Sequence, residues 1–206
     1  MGGMNKMPNY CDCDLRISGN AKDLKEFEEF AKSDRKFLDY EDERMSEIDE
    51  DAYHSEIKII DFNKFIPSPR YQKFMFEREL NKIKDKSEKK SKLFAYHISN
   101  NDEELKKYNL GDGWYDWNCR NWATKWNLNG DNISFKRLSK SIFYNFLTAW
   151  NPPMPVIYAM SEKFPKLKFN LKYYEQGAGF KGELGLKNRE VIINKEDKDY
   201  RGGRGG

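Results

Sequence analysis

Leu167-Lys168-Phe169-Asn170-Leu171-Lys172-Tyr173-Tyr174 alternates apolar and polar side chains, the period of a strand with one buried face. Gly177-Ala178-Gly179 then turns the chain, and Phe180 to Leu186 reads as a neighbouring strand. Upstream, Val156, Ile157, Met160 and Phe164 form the apolar stripe of a helix that Pro152-Pro153 opens and Pro165 stops. Before that helix, Ile142, Tyr144, Phe146, Thr148 and Trp150 alternate along another strand. The C-terminal half therefore reads β-α-β-β.

The N-terminal part begins the same way. Cys11, Leu15 and Ile17 alternate with Asp12, Asp14, Arg16 and Ser18, and Asn20 can cap a helix carrying Leu24, Phe27, Phe30 and Ala31. Glu56 to Phe62, with Ile57 and Ile59 on one face, reads as a second strand that ends at Pro67-Ser68-Pro69. Tyr71 to Lys92 and Phe94 to Leu110 read as helical, until Gly111-Asp112-Gly113 breaks the pattern. The order β-α-β, insertion, β-α-β-β predicts an α+β, ferredoxin-like split βαβ sandwich, an antiparallel sheet with helices on one face. That name describes a fold and implies no iron–sulfur cluster. One domain is expected over residues 1–200, with a helical, Trp-rich insertion at about 68–138 between strands two and three. Residues 201–206, with two RGG units, read as a flexible tail.

The chain has 206 residues, 38% hydrophobic, 34% charged and 15% aromatic, with a net charge of +3. A core built largely on aromatics follows. Residues 22–56 hold fourteen acids against six bases, and residues 114–174 hold nine Lys/Arg against three acids. Such polarity can steer a charged partner. Glu41, Asp42, Glu43, Glu47, Asp49, Glu50 and Asp51 form the densest acidic strip, a candidate contact for a basic groove. Lys82, Lys84, Lys86, Lys89, Lys90 and Lys92 form the densest basic one, a solvated helix face or a phosphate contact. No apolar run approaches the roughly 20 residues that cross a membrane. Cys11, Cys13 and Cys119 are too few for a disulfide framework or a four-thiolate metal site, so a reducing cytoplasm is expected.

Four of the five tryptophans fall within Gly113-Trp114-Tyr115-Asp116-Trp117-Asn118-Cys119-Arg120-Asn121-Trp122-Ala123-Thr124-Lys125-Trp126. Large aromatics mostly serve burial, which makes this an aromatic joint tying the insertion to the sheet. One connected cluster including Trp150, with at least three members largely buried, is expected. The alternative is a recognition surface of Trp114, Tyr115, Trp117, Arg120, Trp122, Lys125 and Trp126 that receives a partner or stacks bases.

Several motifs resemble one family. They are Met7-Pro8-Asn9-Tyr10-Cys11, Phe62-Asn63-Lys64-Phe65-Ile66-Pro67, Trp114-Tyr115-Asp116-Trp117 running into Asn121-Trp122-Ala123-Thr124-Lys125-Trp126, and Thr148-Ala149-Trp150-Asn151-Pro152-Pro153 with Tyr173-Tyr174-Glu175-Gln176-Gly177-Ala178-Gly179-Phe180. Together they resemble the YubB-type ferredoxin-like domain of phages and plasmids. Many relatives have Gly where this chain has Ala123, which tightens the space there. The resemblance implies an accessory protein of a mobile element that binds a host protein, such as a defence nucleoprotein complex. Anti-defence inhibition, as by an anti-CRISPR, is the role so implied; the alternative is RNA or DNA binding through the Lys-rich helix and the basic second half. It carries no catalytic residues and no cofactor.

The residues by themselves assemble no catalytic apparatus. His54 and His97 lack metal-ligand spacing, and Cys119 reads as an unreactive cysteine beside tryptophans before it reads as a nucleophile with His97 as base. Asp12 and Asp14 share the polar face of strand one, where they are expected to pair with Lys168 or Lys172. Neither the first strand nor Phe180-Lys181-Gly182 matches the usual base-stacking signature of RNA-binding sheets.

Overall fold

The computed structural model describes residues 9–39, 59–99, 102–109, 113–128 and 133–198. β1 (Tyr10–Ser18) leads into α1 (Ala21–Ala31), whose first turn is capped as expected: Asp23 N donates to Asn20 Oδ1 at 2.9 Å. The insertion contributes a 3-10 turn (Phe62–Lys64), α2 (Pro69–Leu80), α3 (Lys86–Ser99), α4 (Asp102–Asn109) and α5 (Gly113–Trp122). Then come β2 (Ile133–Leu138), β3 (Ser141–Ala149), α6 (Met154–Lys163), β4 (Lys168–Glu175), β5 (Phe180–Lys187) and β6 (Glu190–Asp197).

All six strands join one antiparallel sheet in the order β2-β3-β1-β4-β5-β6. The stretch β2-β3-β1-β4, with α1 and α6 as crossovers, is the ferredoxin-like arrangement, and β5 and β6 extend it. Cys11, Cys13, Leu15 and Ile17 of β1, Phe169 and Leu171 of β4, and Leu24, Phe27, Val156, Ile157 and Met160 of the helices are buried in one core. Phe27 lies at its centre, with rings of Phe65, Phe164 and Phe169 within 5.8 Å.

Of the stretch where the alternation of Ile57 and Ile59 placed the second strand, the described residues 59–62 are not in the sheet. Ile59 and Ile60 form a bend, and buried Asp61 caps the 3-10 turn by accepting from Asn63 N at 2.9 Å. A second donor, Asn127 Nδ2, reaches the same Asp61 oxygen at 2.6 Å, and Asp61 N donates to Ala31 O at 2.8 Å. Those bonds hold the segment against the end of α1, outside the sheet. Residues 133–138, assigned from the sequence to the insertion, supply strand two instead. The insertion therefore precedes strand two. Arg137 of β2 ties the new strand to α1 through Glu28 at 3.1 Å.

Two further differences are local. The helix expected from Tyr71 to Lys92 breaks after Leu80 and restarts at Lys86. A sixth strand, β6, follows a two-residue turn in which Asn188 and Arg189 take φ of 49° and 64°, the left-handed pair that suits a tight hairpin.

A satellite core of Phe37, Tyr71 and Phe74 joins α2 to residues 34–38, with Arg78 to Asp34 at 2.6 Å beside it. Burial, with Asp61 and Asp34 nearby, pushes the Tyr71 hydroxyl up to about 12. Burial also raises Tyr144 and Tyr173. In the unfolded chain these phenols ionise near 10. Their contribution to stability is thus complete below about pH 10 and is lost as pH rises from 10 toward 12. Alkaline unfolding should begin in that window, and Tyr71→Phe should move its midpoint to higher pH, as followed by circular dichroism.

Candidate functional site

The two faces of the sheet differ because side chains alternate along each strand. Odd positions of β1 enter the core; Asp12, Asp14, Arg16 and Ser18 point to the other face. The pairing register sets out the rows across that face. Lys136, Phe143, Arg16 and Asn170 lie in one row over β2, β3, β1 and β4. On one side of it Lys168 pairs with Ser18, and on the other Asp14 lies between Asn145 and Lys172. Farther along, Asp12 lies between Leu147 and Tyr174, with Lys181 opposite Tyr174.

These side chains line an open trough of about 600 Å³ that includes Arg16, Lys136, Phe143, Asn145, Lys168, Asn170 and Lys172. Arg16, Lys136, Lys168 and Lys172 are exposed, while Phe143 is half-buried beneath the Arg16 guanidinium, 5.4 Å from its ring centre. Asn145 Nδ2 donates to Asp14 at 2.8 Å and Asp12 at 3.2 Å, and Asn170 Nδ2 donates to Glu183 at 2.9 Å. Lys172 lies across from Asp14 in the register, and Lys168 across from Ser18. The trough offers a ring, four cations and two amide groups, with the carboxylates of Asp14 and Glu183 also in its lining. That is chemistry for an anion attached to an aromatic ring system.

The tryptophans form a joint, with two of them buried where at least three were expected. Trp117 and Trp122 are buried and meet edge to face at 5.4 Å, while Trp114, Trp126 and Trp150 are half-buried. Trp122 Nε1 donates to Ile66 O at 2.9 Å, and its ring meets Phe62 at 5.8 Å. Buried Thr124 exchanges two hydrogen bonds with Ala149, at 2.9 and 3.1 Å, pinning the segment after α5 to the end of β3. Ring contacts link Trp117 with Trp122, and Trp114 with Tyr115 and Trp150, and Trp114 packs against the core that holds Trp117 and Trp122. Lys125 Nζ lies 5.1 Å from Trp126 and 6.0 Å from Trp150; Arg120 is exposed on α5.

Strand three stops at Ala149, and Trp150 follows at φ 65°, near Ala123 at φ 62°. Left-handed backbone costs a non-glycine residue roughly 1–2 kcal/mol. This explains why glycine would suit position 123, a conformational reason beyond space alone.

The remaining candidates are placed as follows. Glu41, Asp42, Glu43, Glu47, Asp49, Glu50, Asp51, His54 and the tail at 201–206 lie outside the described residues. Lys86, Lys89, Lys90 and Lys92 lie on α3, with Lys82 and Lys84 just before it. Lys82 pairs with Glu79, Lys92 with Glu88 at 3.1 Å, and Lys89 bonds Asn81 at 3.4 Å, so half of this basic group is engaged locally. Cys11 and Cys13 are fully buried, as expected. Desolvation raises the Cys119 thiol, the opposite of the shift that activates a nucleophile. Among the described residues no group of three His, Cys, Asp or Glu could hold a metal, and no helix is long and apolar enough to cross a membrane.

Residues 121–202 match the family model for the ferredoxin-like domain in Api92-like protein. The chain is also similar in fold to the crystal structure of a protein api92 from Yersinia pseudotuberculosis. That comparison gives 10% identity and a TM-score of 0.50, covering 93% of this chain and 98% of that one. No curated protein matches the chain.

Proposed function

We propose that this is a non-enzymatic accessory protein of a phage or plasmid, of the YubB type, that binds single-stranded nucleic acid on the open face of its sheet. The observation that carries this reading is the row Lys136–Phe143–Arg16–Asn170 with Lys168 beside it, lining a trough that the described residues leave open. Phe143 provides the stacking ring that β1 lacks, and the cations provide phosphate contacts. Inhibition of a host defence nucleoprotein would then proceed by competition for its exposed strand. A protein contact through half-buried Trp126 and Trp150 is the second reading, favoured by the left-handed backbone that holds Trp150 beside Lys125.

Fluorescence anisotropy with labelled single strands tests the first reading. Stacking on one aromatic is worth about 1–3 kcal/mol, so Phe143→Ala should weaken binding by roughly 5- to 150-fold without loss of fold. Lys136→Glu with Lys168→Glu should weaken it further and flatten the salt dependence. Absence of binding overturns the proposal. So does binding that survives these changes and disappears with Lys86→Glu and Lys90→Glu, which would move the site to α3.

A further inference from the structure

We infer that the helix-bearing side of the sheet holds a separate binding site for an alkylammonium group, with the Glu175 carboxylate as its counter-ion. The site is an open cavity of about 520 Å³, bounded by Pro152 and Met154 at the start of α6, by Tyr173, Ala178 and Phe180 of the β4–β5 hairpin, and by Glu196 of β6. Its size is that of a small-molecule pocket. Three of these residues surround Glu175. Tyr173 precedes it by two positions on the same face, Phe180 pairs with it in register, and Ala178 N donates to its Oε2. Glu175 is 1% exposed, and its other oxygen, Oε1, has no hydrogen-bond partner among the described residues. The other such atom, Asn118 Oδ1, belongs to a neutral amide whose Nδ2 donates to Lys125 O at 2.8 Å. A buried acceptor without a donor is costly, most of all on a carboxylate. A ligand that brings a charged donor removes that cost.

The single free oxygen selects the head group. A guanidinium binds best with two parallel bonds to both oxygens of a carboxylate, and here Ala178 N already holds Oε2. An ammonium is a compact point charge that needs only one. Burial, with Glu196 nearby, raises the Tyr173 hydroxyl, so it stays neutral and can accept a second N–H. Gly182 makes room for that hydroxyl, since a Cβ there would collide with it. The Tyr173 and Phe180 rings meet edge to face at 6.1 Å and give a cation aromatic surface. Pro152 and Met154 provide an apolar wall for a short alkyl stem. Lys198, the cation of the lining, is largely exposed and lies 3.7 Å from Glu196 at the rim.

Titration calorimetry of the full chain with butylammonium, and with 1-butanol as its uncharged counterpart, tests the site. Butylammonium should bind at least about tenfold more tightly than butanol. Glu175→Gln keeps an oxygen for Ala178 N, and should weaken butylammonium by about tenfold or more while leaving the melting temperature of the ligand-free protein unchanged or higher. Glu196→Gln removes the same charge from the exposed rim and should weaken binding no more than about threefold. A capped lysine that binds more tightly than butylammonium identifies a protein side chain as the source of the ammonium; the reverse order identifies a free amine. Absence of butylammonium binding, equal affinity for butanol, or equal losses in the two variants overturns the inference. So does a Glu175→Gln protein that melts markedly lower, which would make the carboxylate a structural hydrogen-bond partner.

Discussion

Trp122→Ala should lower the melting temperature by roughly 6–20 °C, since a buried Trp is worth about 3–5 kcal/mol and each kcal/mol moves a domain of this size by about 2–4 °C. Trp122 is 2% exposed, donates its indole N–H to Ile66 O, and meets both Phe62 and Trp117 edge to face. Alanine leaves a cavity, an orphaned carbonyl, and one ring contact fewer at each of Phe62 and Trp117. Trp126→Ala, at a half-buried indole, should cost well under half as much. Denaturant unfolding distinguishes the two variants. Equal and small effects would show that the cluster serves recognition and not the joint. Nucleic-acid affinity of the folded fraction should be unchanged by either, because neither ring lines the trough.

Asp61→Ala should be the next most damaging change, at about 3 kcal/mol. This carboxylate is 1% exposed and receives Asn63 N and Asn127 Nδ2 on one oxygen. Asn127 in turn accepts from Phe62 N at 3.0 Å and Leu128 N at 2.9 Å. Removing the carboxylate leaves two buried donors unsatisfied and frees the link between the turn and residues 127–128. Asp61→Asn keeps one acceptor oxygen and should cost about 1 kcal/mol. Similar losses for both variants, measured by chemical denaturation, would show that charge and not hydrogen bonding holds the turn.

Asp61 also shows where the sequence could and could not be read. β1, β4 and α6 were legible because each combines regular periodicity with an explicit start or stop: Asn20, Pro152-Pro153, Pro165. Glu56 to Phe62 has the same apparent alternation, but the course of its described residues, 59–62, is decided by Asn127 and by Ala31 O, partners that no local pattern reveals. β2 was missed for the opposite reason. It is an edge strand, and Ser134, Phe135, Lys136 and Leu138 are all exposed, so burial leaves no period-2 trace. β6 escaped because Val191-Ile192-Ile193 does not alternate and Asn188-Arg189 lacks the glycine that usually marks a tight hairpin. The tryptophan-rich joint was recognisable from composition alone, although which indoles are buried depends on helix phase. Arg16 and Phe143 carried no signal as a pair. They meet only because β1 and β3 adopt one particular register, and a shift of one residue would send Phe143 into the core.

The position of β1 within the sheet has a consequence for how the chain is made. This first strand lies between β3 and β4, so Cys11 faces Thr148 on one side and Glu175 on the other. Both neighbours are synthesised long after it. At about 5–20 residues per second, β1 waits on the order of ten seconds before β3 has been polymerised. Throughout that interval Cys11, Cys13, Leu15 and Ile17 form an apolar edge with no strand to join. Loop closure over so long a separation also slows the search. Yield in a cell should therefore depend on holdase chaperones and on translation speed more than on equilibrium stability, and should improve at low expression temperature.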